Sequence, residues 1–583
     1  MDDILQRIVQ QRREDLARRG PALGYPVPLE RQRPVNPFLP AGGVILEIKR
    51  ASPSRGAIAP DLDAVQTART YIEAGAGAIS ILTEEHYFKG NLQDLLEVGK
   101  AFPHQPLLRK DFILTGDDIA VSYRAGADGV LLIARLFDTE TLLHLAEQAV
   151  RFGMKPLIEV REEEDLPKLR FVAERLPCLA GVNSRDLRTF TIDPLLPALR
   201  ITELPVPAIY ESGVQTPFQA SYAAHLGYIG ILVGEGAVRQ KEQISLLIRH
   251  FTQTRNQLQG SSGLSGESPQ EGLPGSSSGV LQPGTVRGNR TGNSALPAAG
   301  ELWRRLAQRR AYRQSQGPLG TPPCWRLGAP PLIKICGLTR LEDVQHCLAL
   351  GADLLGFIFA PSPRKTDAAF VRQARALLSS FYFPEGKGNI LDVPLPLFIG
   401  VITDVQSPVA QEALGLTREG VLDGIQYHGP LDEEALAQLP QEVGRYVVLP
   451  VSQPADREAY QGLQKRGEVR FLLDRRVGNQ SGGTGTPIQD EVLDALISQG
   501  PAASSSSYSP LWIAGGLGAD TVGSLLSRYP VELVDASSRL ETEPGKKDPQ
   551  KLRAFFAAIA HPQGGKEEVP VSDSNQHKEY QHG

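Results

Sequence analysis

Residues 129–160 read GVLLIARLFDTETLLHLAEQAVRFGMKPLIEV. A short apolar run from Gly129 is followed by DTETLLHLAEQAVRFG, a helix-like stretch, and then by a second apolar run from Lys155. Strand, helix, strand within about thirty residues is the βα pattern of a parallel sheet. The alternation continues outward from this unit. Further apolar runs start at Val44 (VILEIK), Ala78 (AISILT), Pro106 (PLLRKDF), Leu179 (LAGVNS), Ala208 (AIYESG) and Gly230 (GILVGEG). With the two runs of the opening stretch they make eight. A second set of eight starts at Leu332 (LIKICG), Leu354 (LLGFIF), Pro396 (PLFIGVIT), Gly424 (GIQYHG), Arg445 (RYVVLPV), Phe471 (FLLDRR), Leu511 (LWIAGG) and Val531 (VELVDASS). Eight βα units is the count of a closed barrel. The expectation is an α/β protein of two tandem (β/α)8 TIM barrels joined by a long flexible linker. A doubly wound open sheet would show the same periodicity.

The chain of 583 residues has room for this. Two barrels of about 250 residues leave about 80 for connections and tails. Composition shifts sharply after His250 towards Gly, Ser, Pro and Gln. The expected division is a first barrel over 1–253, a linker over 254–330, a second barrel over 331–562 and a polar, disordered tail over 563–583. A Ser-rich surface loop is expected over Ala502 to Ser509. Within the linker, Glu301 to Arg313 (ELWRRLAQRRAYR) reads as a short basic helix, expected to be solvated or loosely docked.

Bulk properties exclude several classes. Hydrophobic residues are 41% and charged residues 22%, ordinary for a globular chain. A net charge of −5 and a pI of about 6.1 give no electrostatic footprint for nucleic acid. The four cysteines (Cys178, Cys324, Cys336, Cys347) form no C-x-x-C pair, which argues against a zinc site and for a reducing compartment. The amphipathic start, MDDILQRIVQQRREDLARR, lacks a signal-peptide core, and no run of about 18 apolar residues occurs. A cytoplasmic location with no membrane partner is expected.

Polar residues fall at the ends of the apolar runs, where barrels carry their chemistry. In the first set these are Glu47 and Lys49, Lys110 and Asp111, Glu159, Asn183 and Arg185, and Glu211, Ser212 and Gly213. Charges there are costly unless paired, so lysines and carboxylates sharing one mouth suggest acid–base chemistry. The turns at Ser212-Gly213 and Gly234-Glu235-Gly236 suit a phosphate cradle of backbone N–H groups.

The strings EIKRASPSRG, LTEEHYFKGNL, LLRKDFI, LIEV, GVNSRDL, YESG and LVGE, in this order between about Leu5 and His250, resemble indole-3-glycerol-phosphate synthase. The resemblance implies closure of the indole ring of carboxyphenylaminodeoxyribulose phosphate with loss of CO₂ and water. It implies Lys110 as general acid and Glu159 as general base of the dehydration. Lys49 would pair with the substrate carboxylate, and Glu47 would orient it. Asn183, Arg185, Glu211 and Ser212 would hold substrate. Ser52, Lys49, Gly213, Gly234 and Glu235 would form the phosphate site, and Phe88 and Phe112 would pack the aromatic ring. Gly236 stands where this family often has Ser.

From about Leu332 to Ala560, IKICG, GFIFAPSPRK, IQYHG, LLDRR, GGTGT, IAGGL, VDASS and PGKKD resemble phosphoribosylanthranilate isomerase. This implies an Amadori rearrangement with Cys336 as general base and Asp474 as general acid. Such a pair calls for opposite pKa pressures, a thiolate-like Cys and a protonated Asp. Arg364 would grip the anthranilate carboxylate bidentately, and His428 would line the mouth. Gly515, Gly516, Ser537 and Ser538 would hold phosphate. Tyr427, Thr486 and Arg539 depart from the family pattern, and Arg539 is placed to crowd the phosphate. Together the two resemblances imply a bifunctional enzyme of tryptophan biosynthesis that needs no metal or organic cofactor. They imply phosphorylated small-molecule substrates and no nucleic-acid partner. The rival readings are that only the first half is active, or that both halves form a non-catalytic sugar-phosphate-binding scaffold.

Overall fold

The computed structural model describes residues 4–53, 56–186, 188, 191–239, 241–261, 298–316, 329–382, 393–477, 480–481, 485–498 and 510–562. The expected flexible stretch within 262–297 and 317–328, the Ser-rich loop at 502–509 and the tail at 563–583 lie outside them.

The opening stretch folds as its pattern demands. Gly129–Ile133 is a buried strand, Thr139–Arg151 a helix and Lys155–Val160 the next strand. The helix starts where the Asp138 side chain accepts the Thr141 N–H at 2.8 Å, satisfying a first-turn donor. Leu142, Leu145, Ala146 and Ala149 form its buried face. Eight such strands close into a parallel barrel: β1 (Gly43–Ile48), β2 (Ala78–Leu82), β3 (Leu107–Lys110), β4 (Gly129–Ile133), β5 (Lys155–Val160), β6 (Leu179–Asn183), β7 (Ala208–Glu211) and β8 (Gly230–Val233). Pairing of β1 with both β2 and β8 closes the ring.

The second ring is β9 (Leu332–Cys336), β10 (Leu354–Ile358), β11 (Leu397–Ile402), β12 (Gly424–Tyr427), β13 (Arg445–Val451), β14 (Phe471–Val477), β15 (Leu511–Ala514) and β16 (Val531–Ala536). Parallel pairing of β13 with β14 and of β9 with β16 closes it. The chain is therefore two tandem TIM barrels, and the open-sheet alternative is excluded.

The basic helix departs from expectation. It spans Ala298–Ser315 and is neither solvated nor loosely docked. Leu302, Trp303, Leu306 and Ala307 are buried in an apolar cluster that takes in residues of both barrels. Trp303 packs edge-on to Tyr222 of the first barrel, with ring centroids 6.0 Å apart. On its other side lies Trp512 of the second, at 6.3 Å. The arginines that made the helix look solvent-facing are its clamps. Arg304 donates to the Leu226 carbonyl at 3.1 Å. Arg309 and Arg313 hold Asp353 at 2.9 and 2.7 Å, and Arg305 pairs with Asp423. Composition shows charge; only the fold shows that the partners belong to the same chain.

Residues that open the strands of the second barrel, among them Leu332, Leu354, Leu397, Leu472, Trp512 and Leu533, share this cluster. The end of the second barrel opposite its mouth is thus seated on the helix and on the flank of the first. No helix among the described residues is long and apolar enough to cross a membrane.

Candidate active sites

At the C-terminal end of the first barrel, one cleft is lined by Glu47, Lys49, Ser52, Phe88, Lys110, Phe112, Glu159, Asn183, Arg185, Ser212, Gly213, Gly234 and Glu235. Glu211 lies beneath, almost fully buried, with its Oε2 3.2 Å from Lys110 Nζ. Lys110 Nζ is also 3.9 Å from Glu159 Oε2. Asn183 Nδ2 donates to Glu159 Oε1 at 3.3 Å. Lys49 Nζ is 3.5 Å from Glu47 and 5.2 Å from the centre of the Phe88 ring. Phe88 and Phe112 stand 6.4 Å apart, centroid to centroid, making an aromatic wall. Asp111 borders the same cleft, but its carboxylate accepts from Arg109 and Thr83 and faces Arg12 of the N-terminal helix Ile4–Arg19.

The electrostatics separate the two lysines. Burial opposes the Lys110 ammonium, but Glu211, Glu159 and Glu47 outweigh it and hold its pKa above the ordinary lysine value. Burial lowers Lys49, and Glu47 only partly offsets this against the charges of Lys110 and Arg185. Burial raises Glu211 to about 7, opposed by Lys110 and reinforced by Glu159. The mouth therefore holds a firmly charged lysine beside a carboxyl that titrates near neutrality.

Two backbone features shape the site. Ser212 has φ 66° and Gly213 φ 81°, consecutive left-handed residues. For Ser such a conformation is uncommon and marks a functional turn. Gly181 on β6 was not singled out from sequence, yet a Cβ there would collide with Glu211 Oε1. A lone Gly inside the strand LAGVN was the available signal of a close approach.

In the second barrel, Cys336 ends β9, Asp474 lies in β14, and His428 follows β12. His428 Nε2 is 3.8 Å from Asp474 Oδ2. Burial raises Asp474 to about 7, with Asp535 adding to it. Burial lowers His428 to about 4, assisted by Lys334, so its ring is neutral at physiological pH. Cys336 does not feel the opposite pressure expected for a base. Burial raises it too, although Lys334 opposes. Burial outweighs Lys334, and Asp535 adds to the rise; Lys334 Nζ sits 2.6 Å from Asp535 and 2.8 Å from Gln426.

Arg364 also differs from expectation. Its Nε and Nη2 already grip Glu541, at 2.9 and 2.8 Å, which leaves the Nη1–Nη2 edge for a ligand. Lys547 Nζ donates to Glu541 at 2.8 Å and to the Cys336 carbonyl at 2.6 Å. The Ser537 hydroxyl donates to that same carbonyl at 2.9 Å. Gly515 and Gly516 are both left-handed, and a Cβ on Gly516 would collide with the backbone of Thr486. Ser538 opens a short 3-10 turn to Leu540. Arg539 reaches Asp520 at 2.6 Å and donates to the Gly516 carbonyl at 3.4 Å. Tyr427 is buried beside Gly429, where a Cβ would strike its ring. Lys334 and Asp535 were not singled out from sequence. A single charge two residues before Cys336, on the same face of an apolar strand, was their signal.

The model of indole-3-glycerol phosphate synthase matches residues 33–250. The model of N-(5'phosphoribosyl)anthranilate (PRA) isomerase matches residues 333–558. An indole-3-glycerol phosphate synthase of Geobacillus thermodenitrificans is 37% identical over 255 residues, covering 42% of this chain and 96% of that one. The chain belongs to the indole-3-glycerol phosphate synthase family, with a phosphoribosylanthranilate isomerase domain behind it.

A multifunctional tryptophan biosynthesis protein of Schizosaccharomyces pombe is 27% identical over 540 residues, or 88% of this chain. The chain spans about three fifths of the length of the multifunctional relatives it matches, 59% and 62%. A phosphoribosyl anthranilate isomerase structure from Thermus thermophilus is 28% identical, covers 39% of this chain and 98% of its own, and has a TM-score of 0.31. The residues matched by the two family models place the synthase barrel in the first ring and the isomerase barrel in the second.

Proposed function

We propose that this chain catalyses two consecutive steps of tryptophan biosynthesis. The isomerase barrel converts N-(5'-phosphoribosyl)anthranilate to carboxyphenylaminodeoxyribulose phosphate. The synthase barrel closes that product to indole-3-glycerol phosphate, releasing CO₂ and water. The observation that carries the reading is the Lys110 ammonium held between Glu211 and Glu159 beneath an aromatic wall. A lysine kept charged at this point stabilises a developing oxyanion, which takes its proton as the oxygen becomes more basic.

In the synthase barrel, Lys110 protonates the sugar carbonyl oxygen as the ring carbon attacks, and later the departing hydroxyl. Glu159 takes the proton lost in the dehydration. Lys49, oriented by Glu47, faces the substrate carboxylate that leaves as CO₂. Phe88 and Phe112 stack the aminobenzoate ring, and Asn183, Arg185, Glu211 and Ser212 hold the sugar chain. The phosphate rests on Ser52 and the turns at Gly213 and Gly234–Glu235.

In the isomerase barrel, Asp474 protonates the ribose ring oxygen and opens the sugar to a Schiff base. Its pKa near 7 supports that role. Cys336 removes the C2' proton, and the enolamine tautomerises to the aminoketose. The free edge of Arg364 meets the anthranilate carboxylate, His428 packs the mouth, and Gly515, Gly516, Ser537 and Ser538 hold the phosphate. The reading divides the chain at about residues 253, 330 and 562 and places the work in the cytoplasm on phosphorylated sugar substrates.

Purified protein supplied with N-(5'-phosphoribosyl)anthranilate alone is expected to form indole-3-glycerol phosphate. Accumulation of the aminoketose would leave only the isomerase standing. Turnover of added aminoketose but not of the first substrate would leave only the synthase.

A further inference from the structure

Between the barrels lies a closed group of four buried charges: Asp193, Arg310, Arg470 and Glu532. Each comes from a different part of the chain. Asp193 follows β6 of the synthase barrel, Arg310 lies on the connecting helix, Arg470 precedes β14, and Glu532 opens β16. Arg310 grips Asp193 with both ends of its fork, at 3.0 and 2.7 Å, and reaches Glu532 at 2.9 Å. Arg470 holds Glu532 at 2.6 Å and stands 3.6 Å from Asp193. The Trp512 indole N–H donates to Glu532 at 2.8 Å. Two cations and two anions make the group neutral, which is what permits its burial. Both carboxylates are held below the usual range: burial opposes this, but Arg310 leads for Asp193 and Arg470 for Glu532.

Asp193 is more than an interface residue. Its N–H donates to the Ser184 carbonyl at 2.9 Å, and Arg185 bridges to Ile192 in the antiparallel sense. The Asp186 N–H donates to the Thr191 carbonyl at 2.9 Å. The arm 191–193 therefore braces the arm 183–186, which carries Asn183 and Arg185. It also braces the phosphate turn. Ser184 Oγ donates to the Ser212 carbonyl at 2.9 Å, and the Ile192 side chain lies against Gly213. Both arginines that fix Asp193 come from outside the synthase barrel.

We infer that the connecting helix and the isomerase barrel, through Arg310 and Arg470, hold the substrate-binding arms of the synthase site in shape. Arg310 and Arg470 are then positioning residues for the synthase reaction, although neither lines its cleft. The inference rests on the synthase reading proposed above. Lys110 and Glu159 stand on other strands, β3 and β5, and the arm touches Glu159 through the Asn183 amide at 3.3 Å, so loosening Asp193 disturbs the binding groups more than the acid and the base. The consequence is a split: KM rises while kcat is largely kept.

The test uses the full chain carrying Arg310→Met or Arg470→Met, with each activity assayed on its own purified substrate. Synthase KM for carboxyphenylaminodeoxyribulose phosphate is expected to rise about tenfold, with kcat changed less than about threefold. Isomerase constants are expected to stay at their original values, and Arg310→Lys to recover part of the KM. A single arginine loss strands a buried carboxylate. If such a variant does not fold, Arg310→Met/Glu532→Gln keeps the pocket neutral and carries the same expectation. A folded variant with unaltered synthase KM overturns the inference, as does an equal fall of both activities. Absence of synthase turnover in the unaltered chain would instead overturn the function on which the inference rests.

Discussion

Lys110 separates chemistry from recognition. Its ammonium is tied to Glu211 and Glu159, while the turns at Gly213 and Gly234 line another side of the cleft. Lys110→Met is therefore expected to stop ring closure while the folded protein still binds its substrate. Equilibrium titration decides this, and loss of binding would move Lys110 from acid to anchor. In the other barrel, Cys336→Ala is expected to lower isomerase turnover by about 10²–10⁴-fold and leave ring closure untouched. Near-native isomerase turnover in that variant would take the base role from Cys336. Asp474 makes a separate statement about pH. In the proposed mechanism its carboxyl, raised to about 7, is the proton donor and acts only when protonated. Because the raised Cys336 thiol must lose its proton while Asp474 keeps its own, isomerase kcat/KM is expected to rise with pH up to about 7 and to level off above it, where the gain in thiolate is cancelled by the loss of protonated Asp474. His428, lowered to about 4, stays neutral throughout and does not produce the levelling. A profile that keeps rising tenfold per pH unit from 7 to 9 would remove Asp474 from the role. The same shift has a stability side. The folded barrel binds this proton more tightly than the unfolded chain. Its contribution is full below the ordinary carboxylate range and is lost as pH rises through about 7.

The connecting helix behaves as a shared core element. Its apolar stripe of Leu302, Trp303, Leu306 and Ala307 is covered from both sides, and its arginines end on carboxylates or carbonyls of both barrels. Trp303 is the centre of an aromatic stack from Tyr222 to Trp512. Trp303→Ala is expected to destabilise the protein by about 3–5 kcal/mol, the usual range for emptying a buried aromatic site. Calorimetry should show unfolding of the two barrels drawn apart, because the packing that couples them is lost. A single transition at the original temperature would mean the helix only rests on the surface. The isomerase barrel has a core of its own, while the starts of β9, β10, β11, β15 and β16 finish against this helix.

At the scale of the whole molecule, the seat of the isomerase barrel on the helix turns its mouth away from the synthase flank. On the proposed function, the intermediate is therefore expected to leave one mouth and travel through solvent to reach the other. Excess Lys110→Met chain, which binds the intermediate without consuming it, is expected to slow indoleglycerol phosphate formation from N-(5'-phosphoribosyl)anthranilate. Product formation without a lag and indifferent to this trap would require a protected route between the sites.

Alternation of apolar runs with helix-like stretches determined both barrels, because strand and helix periods are local properties of the chain. The strand-end motifs likewise brought Lys110, Glu159, Asn183 and Gly213 to one mouth, since in a closed parallel barrel every strand ends on the same side. Tertiary structure alone decided what depends on partners distant along the chain. Gly181 matters only because Glu211, thirty residues on, needs its space. Cys336 is raised rather than lowered because its burial outweighs the charge of Lys334, with Asp535 adding to the rise. The helix Ala298–Ser315 reads as a polar surface element because its arginines dominate its composition. Their counter-charges, Asp193, Asp353, Asp423 and Glu532, lie on both sides of it in sequence and meet it only when both barrels have closed.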